Sequence, residues 1–128
     1  MLHEKLKPIS PRPLTARESG WARDILGVNP VWRDADTSRT QVVAEGLLDE
    51  GIAFVLEAIE PENPKAKGSR ESVGQLWIQL IDGSTINVQL SQIDGRLKEL
   101  YVLLIAPNNP NRQVPDDWIE VSREAVDL

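Results

Sequence analysis

Cysteine is absent from this 128-residue chain, and histidine occurs once, as His3. Without cysteine there is no disulfide framework, no thiolate nucleophile and no thiolate metal site. With one histidine, placed in the amino-terminal arm, a histidine-based triad or metal site lacks its main ingredient. Basic residues are also short: 14 Lys and Arg stand against 20 Asp and Glu, a net charge of −6, and neither half of the chain is basic. A nucleic-acid binder needs concentrated Lys and Arg to displace counterions from phosphates, so no nucleic-acid partner is expected. The densest basic stretch, Lys65 to Arg70, follows Pro61 and Pro64 and reads as a connection between elements. No apolar run approaches the length of a membrane span, and "MLHEKLKPISPRP" lacks the apolar h-region of a secretory signal. The expectation is a cytoplasmic protein with no membrane partner.

Phosphate-binding glycine loops and dinucleotide fingerprints are missing as well. The adjacent carboxylates Asp49–Glu50 and Asp116–Asp117 fall in predicted turns, where Asp is favoured for local backbone hydrogen bonding. An oxygen-ligand cation site built on Asp34, Asp36, Thr37 and Ser38 lacks the glycine and the distal glutamate of a calcium loop. No catalytic residue, metal ligand or cofactor site is expected.

What is present is enough for one domain with a real core, since 41% of the residues are hydrophobic and 27% charged. Residues 1–14 contain Pro8, Pro11 and Pro13, which remove amide donors and predict an extended arm outside any central ladder. Residues 15–128 form the domain. Thr15 with Glu18 is a capping-box pattern, and Trp21, Ile25 and Leu26 share one helical stripe. Gly27 and Pro30 supply the stop.

Residues 40–60 admit a helix or a hairpin. Gly46 and Gly51 would each cost a helix about 1 kcal/mol relative to alanine, and the β-branched content favours the hairpin. A three-residue loop of Asp49, Glu50 and a left-handed Gly51 would place Leu48 opposite Ile52, Gly46 opposite Phe54 and Ala44 opposite Leu56.

In "GQLWIQLIDGSTINVQLSQ" (Gly74 to Gln92) the alternation is sharper. Leu76, Ile78, Leu80, Ile86, Val88 and Leu90 share one parity. A two-residue Asp82–Gly83 turn would put the two apolar sets on opposite faces. A three-residue loop, Ile81 to Gly83 with positive φ at Gly83, brings Ile78 opposite Ile86 and Leu76 opposite Val88. A second turn at Ile93 to Arg96 leads into Leu100–Ile105, which is apolar on both faces and reads as an interior strand covered by the helix or by another chain; a buried helix is the alternative for so short a run. The tail from Asp116 is open between a strand, through Ile119 and Val121, and a helix, through Trp118, Val121 and Ala125. The assembled expectation is an α+β fold, an N-terminal helix packed on a meandering antiparallel β-sheet of four to six strands.

Of the four tryptophans, Trp21 reads as core, Trp32 as covering a core edge and Trp118 as a plug at one end of the sheet. Trp77 shares its parity with Gln75, Gln79, Asn87 and Gln89, away from the apolar set. An aromatic framed by adaptable amides suits recognition, and these five residues are the candidate protein-binding site. A structural role for Trp77, under the arm or another strand, is the alternative.

The stretch "RPLTARESGWARDIL" (Arg12 to Leu26) resembles the opening of small uncharacterised bacterial proteins, some of them immunity-like, which neutralise toxins by binding them. The resemblance covers the first helix and implies a non-catalytic role through protein–protein interaction, with a protein partner or by self-association. The rival expectation is a small-ligand-binding or enzymatic α+β cone whose pocket lies between helix and curved sheet.

Overall fold

The computed structural model describes residues 6–48, 51–65, 71–105 and 119–127. The helix, α1, runs Ala16–Gly27. Thr15 Oγ1 accepts from the Glu18 amide and Glu18 Oε1 accepts from the Thr15 amide, so two of the orphan amides of the first turn are satisfied reciprocally. Arg12 adds a clamp from outside the helix, donating through both terminal nitrogens to Glu18 at 2.8 and 3.0 Å while lying over the Phe54 ring. The Arg-Pro-Leu-Thr-x-x-Glu pattern is therefore spent on starting the helix and tying it to the sheet.

Seven strands follow one another as β1 (Lys7–Pro13), β2 (Gln41–Leu48), β3 (Gly51–Glu57), β4 (Glu71–Leu80), β5 (Thr85–Ile93), β6 (Arg96–Ile105) and β7 (Glu120–Val126), with α1 between β1 and β2. They form one sheet in the order β1-β2-β3-β6-β5-β4-β7, and every adjacent pair is antiparallel. The count exceeds the expected four to six because both chain ends supply edge strands. The proline-rich segment is extended and pairs with β2 at one edge of the sheet, outside the central ladder, where a missing amide donor costs least. The tail is strand, paired with β4. Nor is the sheet a simple meander: β1-β2-β3 and β4-β5-β6 are two meanders laid side by side, with β6 against β3.

The 40–60 segment is a hairpin, but its expected register is one residue out. Leu48 pairs with Gly51, Leu47 with Ile52, Gly46 with Ala53 and Ala44 with Val55. Gly51 is a strand residue, and among the described residues the positive-φ glycines are Gly83 and Gly95. What demands glycine at 51 is a neighbour: a Cβ there would sit 1.9 Å from the Val102 carbonyl oxygen of β6. The β4–β5 hairpin has the expected register, with Ile78 opposite Ile86 and Leu76 opposite Val88. Gly83, at φ 89°, closes its loop, and the Ser84 amide donates to Asp82 Oδ1.

One face of the sheet is the core. Leu76, Ile78, Leu80, Ile86, Val88, Leu90, Leu100, Val102 and Leu104 are buried against Trp21, Ala22, Ile25 and Leu26 of α1 and Trp32 beyond it. Burial of each large side chain contributes roughly 1.5–3 kcal/mol. Gly74 lets the helix settle, since a Cβ there would lie 3.0 Å from Ile25 Cγ2. The connection after β3 is pinned by buried polar groups. Glu62 accepts from Thr40 Oγ1 (2.6 Å) and the Leu97 amide (3.2 Å), and Asn63 donates to the Val31 carbonyl (2.9 Å). Among the described residues, no helix is long and apolar enough to cross a membrane.

Candidate functional site

The helix-covered face is identified by two contacts, Ile25 over Gly74 and Arg123 Nη1 on Asp24 Oδ2 at 2.5 Å. Arg123 stands opposite Ile78. Because side chains alternate along a strand, the opposite parity projects from the other face. That face carries all five residues singled out by the alternation. Gln75 pairs with Gln89, Trp77 with Asn87, and Gln79 with Thr85.

Their exposures differ. Trp77 is 39% exposed and Gln79 is exposed, whereas Gln75 and Gln89 are half-buried and Asn87 is only 2% exposed. The uniformly wet or uniformly accessible amide face that alternation alone would give is not what forms. Asn87 is held inside an amide chain, with Gln89 Nε2 donating to Asn87 Oδ1 (2.7 Å) and Asn87 Nδ2 donating to Gln75 Oε1 (2.9 Å). Thr85 Oγ1 donates to Gln79 Oε1 at 3.2 Å. These bonds fix the amides and leave the Gln75 and Gln79 amide nitrogens, on either side of Trp77, without partners among the described residues.

Strands β6 and β7 extend the same face with residues that local pattern did not assign to it. Leu103 lies opposite Asn87, Ile105 opposite Thr85 and Tyr101 opposite Gln89. Ile105 is 49% exposed, so with Trp77 it forms the apolar part of the surface. Glu99 is buried beside Tyr101, whose hydroxyl donates to Glu99 Oε2. Glu124 stands directly opposite Trp77 and Ser122 opposite Gln79. The apolar reading of both faces of Leu100–Ile105 was the one available signal for β6. Nothing local could align Glu124 with Trp77 while the tail was open between strand and helix.

The space between α1 and the sheet, where a cone would hold its ligand, is filled: Trp21, Ile25, Leu26 and Trp32 are each no more than 4% exposed. Clefts lie instead along the rim near β1 and β2, one of about 330 Å³ lined in part by Pro11, Arg39 and Ile59, another of about 730 Å³ lined in part by Lys7, Leu47 and Ile52. Asp36 is used locally: hydrogen bonding from the Ser38 side chain, and then from the Ser38 amide at 2.9 Å, lowers its pKa below the ordinary aspartate value. Among the described residues, no three His, Asp or Glu side chains converge as a metal site would require. His3, Asp49–Glu50, Asp116–Asp117 and Trp118 lie outside the described residues. No family model, curated protein or solved structure compared with the chain matches it.

Proposed function

We propose that this chain is a non-catalytic binding protein that holds a protein partner against the open face of its sheet, with Trp77 as the anchor. One observation carries the reading. A large aromatic remains 39% exposed beside a hydrogen-bonded chain of amides, on the side of the sheet that the helix leaves uncovered. Tryptophan is among the residues most enriched at the energetic centres of protein interfaces. Fixing Gln75, Asn87 and Gln89 in advance lowers the ordering cost of binding. Leu103 and Ile105 widen the apolar contact on the same face. The toxin-neutralising role implied by the resemblance at the helix start is one form of this function, because occluding a partner needs no chemistry from the chain.

A photo-crosslinking amino acid placed at Gln79, in the cells that make the protein, tests the proposal. The expected result is a discrete protein adduct that is absent when the probe is moved to Arg23 on the exposed side of α1 and lost on Trp77→Ser. No adduct at Gln79, or the same adducts from both positions, contradicts it.

A further inference from the structure

We infer that the partner crosses this face as an extended segment lying along β4, its main-chain carbonyls accepting from a row of three N–H donors, and that Asn87 is the positioning residue that sets the polarity of the row. The donors are Gln75 Nε2, Trp77 Nε1 and Gln79 Nε2. The inference rests on the protein-binding reading and adds the groups that are recognised. Gln75, Trp77 and Gln79 are alternate residues of one strand, and none of the three nitrogens has a hydrogen-bond partner among the described residues. An indole nitrogen can only donate, whereas a glutamine can present either its oxygen or its NH₂. Which end each glutamine presents is set from β5. Asn87 Nδ2 donates to Gln75 Oε1 at 2.9 Å, and Thr85 Oγ1 donates to Gln79 Oε1 at 3.2 Å. Each bond holds the oxygen against a neighbouring strand and leaves the nitrogen for the partner.

Asn87 is 2% exposed and out of a partner's reach, so it acts through Gln75. Its own orientation is fixed from behind, since Gln89 Nε2 donates to Asn87 Oδ1 at 2.7 Å and only the Asn87 NH₂ is then left to turn toward Gln75. The spacing of the row identifies its occupant. Residues two apart on an antiparallel strand are separated by about 7 Å. Carbonyls that point the same way along an extended chain recur at the same two-residue interval, because successive ones alternate in direction. Three such carbonyls therefore match the three donors, one to each. A single carboxylate meets one donor and leaves the others to water. The main chain of an extended segment answers all three, whatever its side chains.

The test uses the full chain, ¹⁵N-labelled, with the three donor signals identified by their loss in Gln75→Met, Trp77→Phe and Gln79→Met. In the free chain the Gln75 NH₂ should exchange rapidly with water and the Asn87 NH₂ slowly. Four probes are then titrated: a capped alternating Ser-Thr peptide, glutarate, cellohexaose, and the chain itself at rising concentration. Only the Ser-Thr peptide is expected to move all three donor signals together. Gln75→Met should raise its Kd about threefold to tenfold, as for the loss of one neutral hydrogen bond. Asn87→Asp, which can only accept, should draw the Gln75 nitrogen inward, slow its exchange and raise the Kd by a similar factor. A slowly exchanging Gln75 NH₂ in the wild type would mean that the amide chain runs the other way, and it overturns the inference with no variant needed. So does a peptide that moves fewer than all three signals, an equal response to glutarate or cellohexaose, signals that follow only the chain's own concentration, or an unaltered Kd in either variant. If Asn87→Asp does not fold, the wild-type exchange and Gln75→Met decide. These outcomes leave the protein-binding reading intact, whereas absence of any adduct at Gln79 overturns that reading itself.

Discussion

Ile78 stands directly across from Ile86, and that pairing decides the composition of both faces of the sheet. With the two isoleucines opposed on the core side, Trp77 and Asn87 are opposed on the other. The loop Ile81 to Gly83 sets the pairing, closed by the Leu80 amide on the Ser84 carbonyl (2.9 Å) and the Gly83 amide on the Leu80 carbonyl (3.1 Å). The next hairpin uses the same Ile-Asp-Gly triplet differently. Asp94 (φ 51°) and Gly95 (φ 84°) are the two central residues of a tight turn between Ile93 and Arg96, and an irregularity between Ser91 and Gln92 restores the phase. A turn dipeptide does not choose its loop; the apolar parity of the flanking strands does.

Gly83→Ala should destabilise the fold by roughly 1–2 kcal/mol, the cost of a Cβ in the left-handed region. Gly20→Ala, in the interior of α1 where a Cβ meets only Arg23 Nη2 at 3.9 Å, should instead stabilise by about 0.5–1 kcal/mol. Urea unfolding of the two variants checks the opposite signs. Equal effects would mean that Gly83 is not holding the register.

Acid should weaken the clamp at the helix start. Burial alone would raise the Glu18 pKa, but hydrogen bonds from Arg12 and Thr15 outweigh it and hold the pKa below the ordinary glutamate value. Because the folded pKa is depressed, this stabilisation is fully present above the unfolded value, about 4.3, and is lost as pH falls through the folded pKa. Glu18→Gln should cost about 1–2 kcal/mol at neutral pH. The gap from the wild type should then shrink below pH 4 or so, as the wild-type carboxylate protonates. A gap independent of pH from 7 to 3 would contradict the assignment.

Thr40→Val removes the hydroxyl that donates to the buried Glu62 carboxylate while keeping the side chain's shape. It should destabilise by about 1–3 kcal/mol, the cost of leaving a buried acceptor short of a partner. Urea unfolding measures the loss, and a neutral result would show that the Glu62 contacts do not pin the connection before β4.

How much of this was legible depends on how local each cause is. The capping box of Thr15 and Glu18, the Trp21–Ile25–Leu26 stripe and the β4–β5 register are governed by residues within one turn or one hairpin of each other, and all three form as the pattern predicts. Local pattern puts Gly51 in the loop, whereas its reason is the Val102 carbonyl, on a strand far along the chain. The β2–β3 register followed it into error. The exposed β7 carries a weak periodicity, so only the free edge of β4 identifies it as a strand. The common face of Gln75, Trp77, Gln79, Asn87 and Gln89 was readable from parity, since one hairpin supplies all five. The burial of Asn87 and the arrival of Glu124 beside Trp77 depend on neighbouring strands and were not.

The central claim is most directly tested by the affinity of Trp77→Ser for the partner crosslinked through Gln79, with urea unfolding of the same variant. The account predicts binding weaker by about 2 kcal/mol or more, as for a hot-spot aromatic. It also predicts a folded variant whose stability falls by no more than about 1 kcal/mol, the span of strand propensity at an exposed position. Unaltered affinity, or a variant that cannot fold, would contradict it and make Trp77 a structural residue.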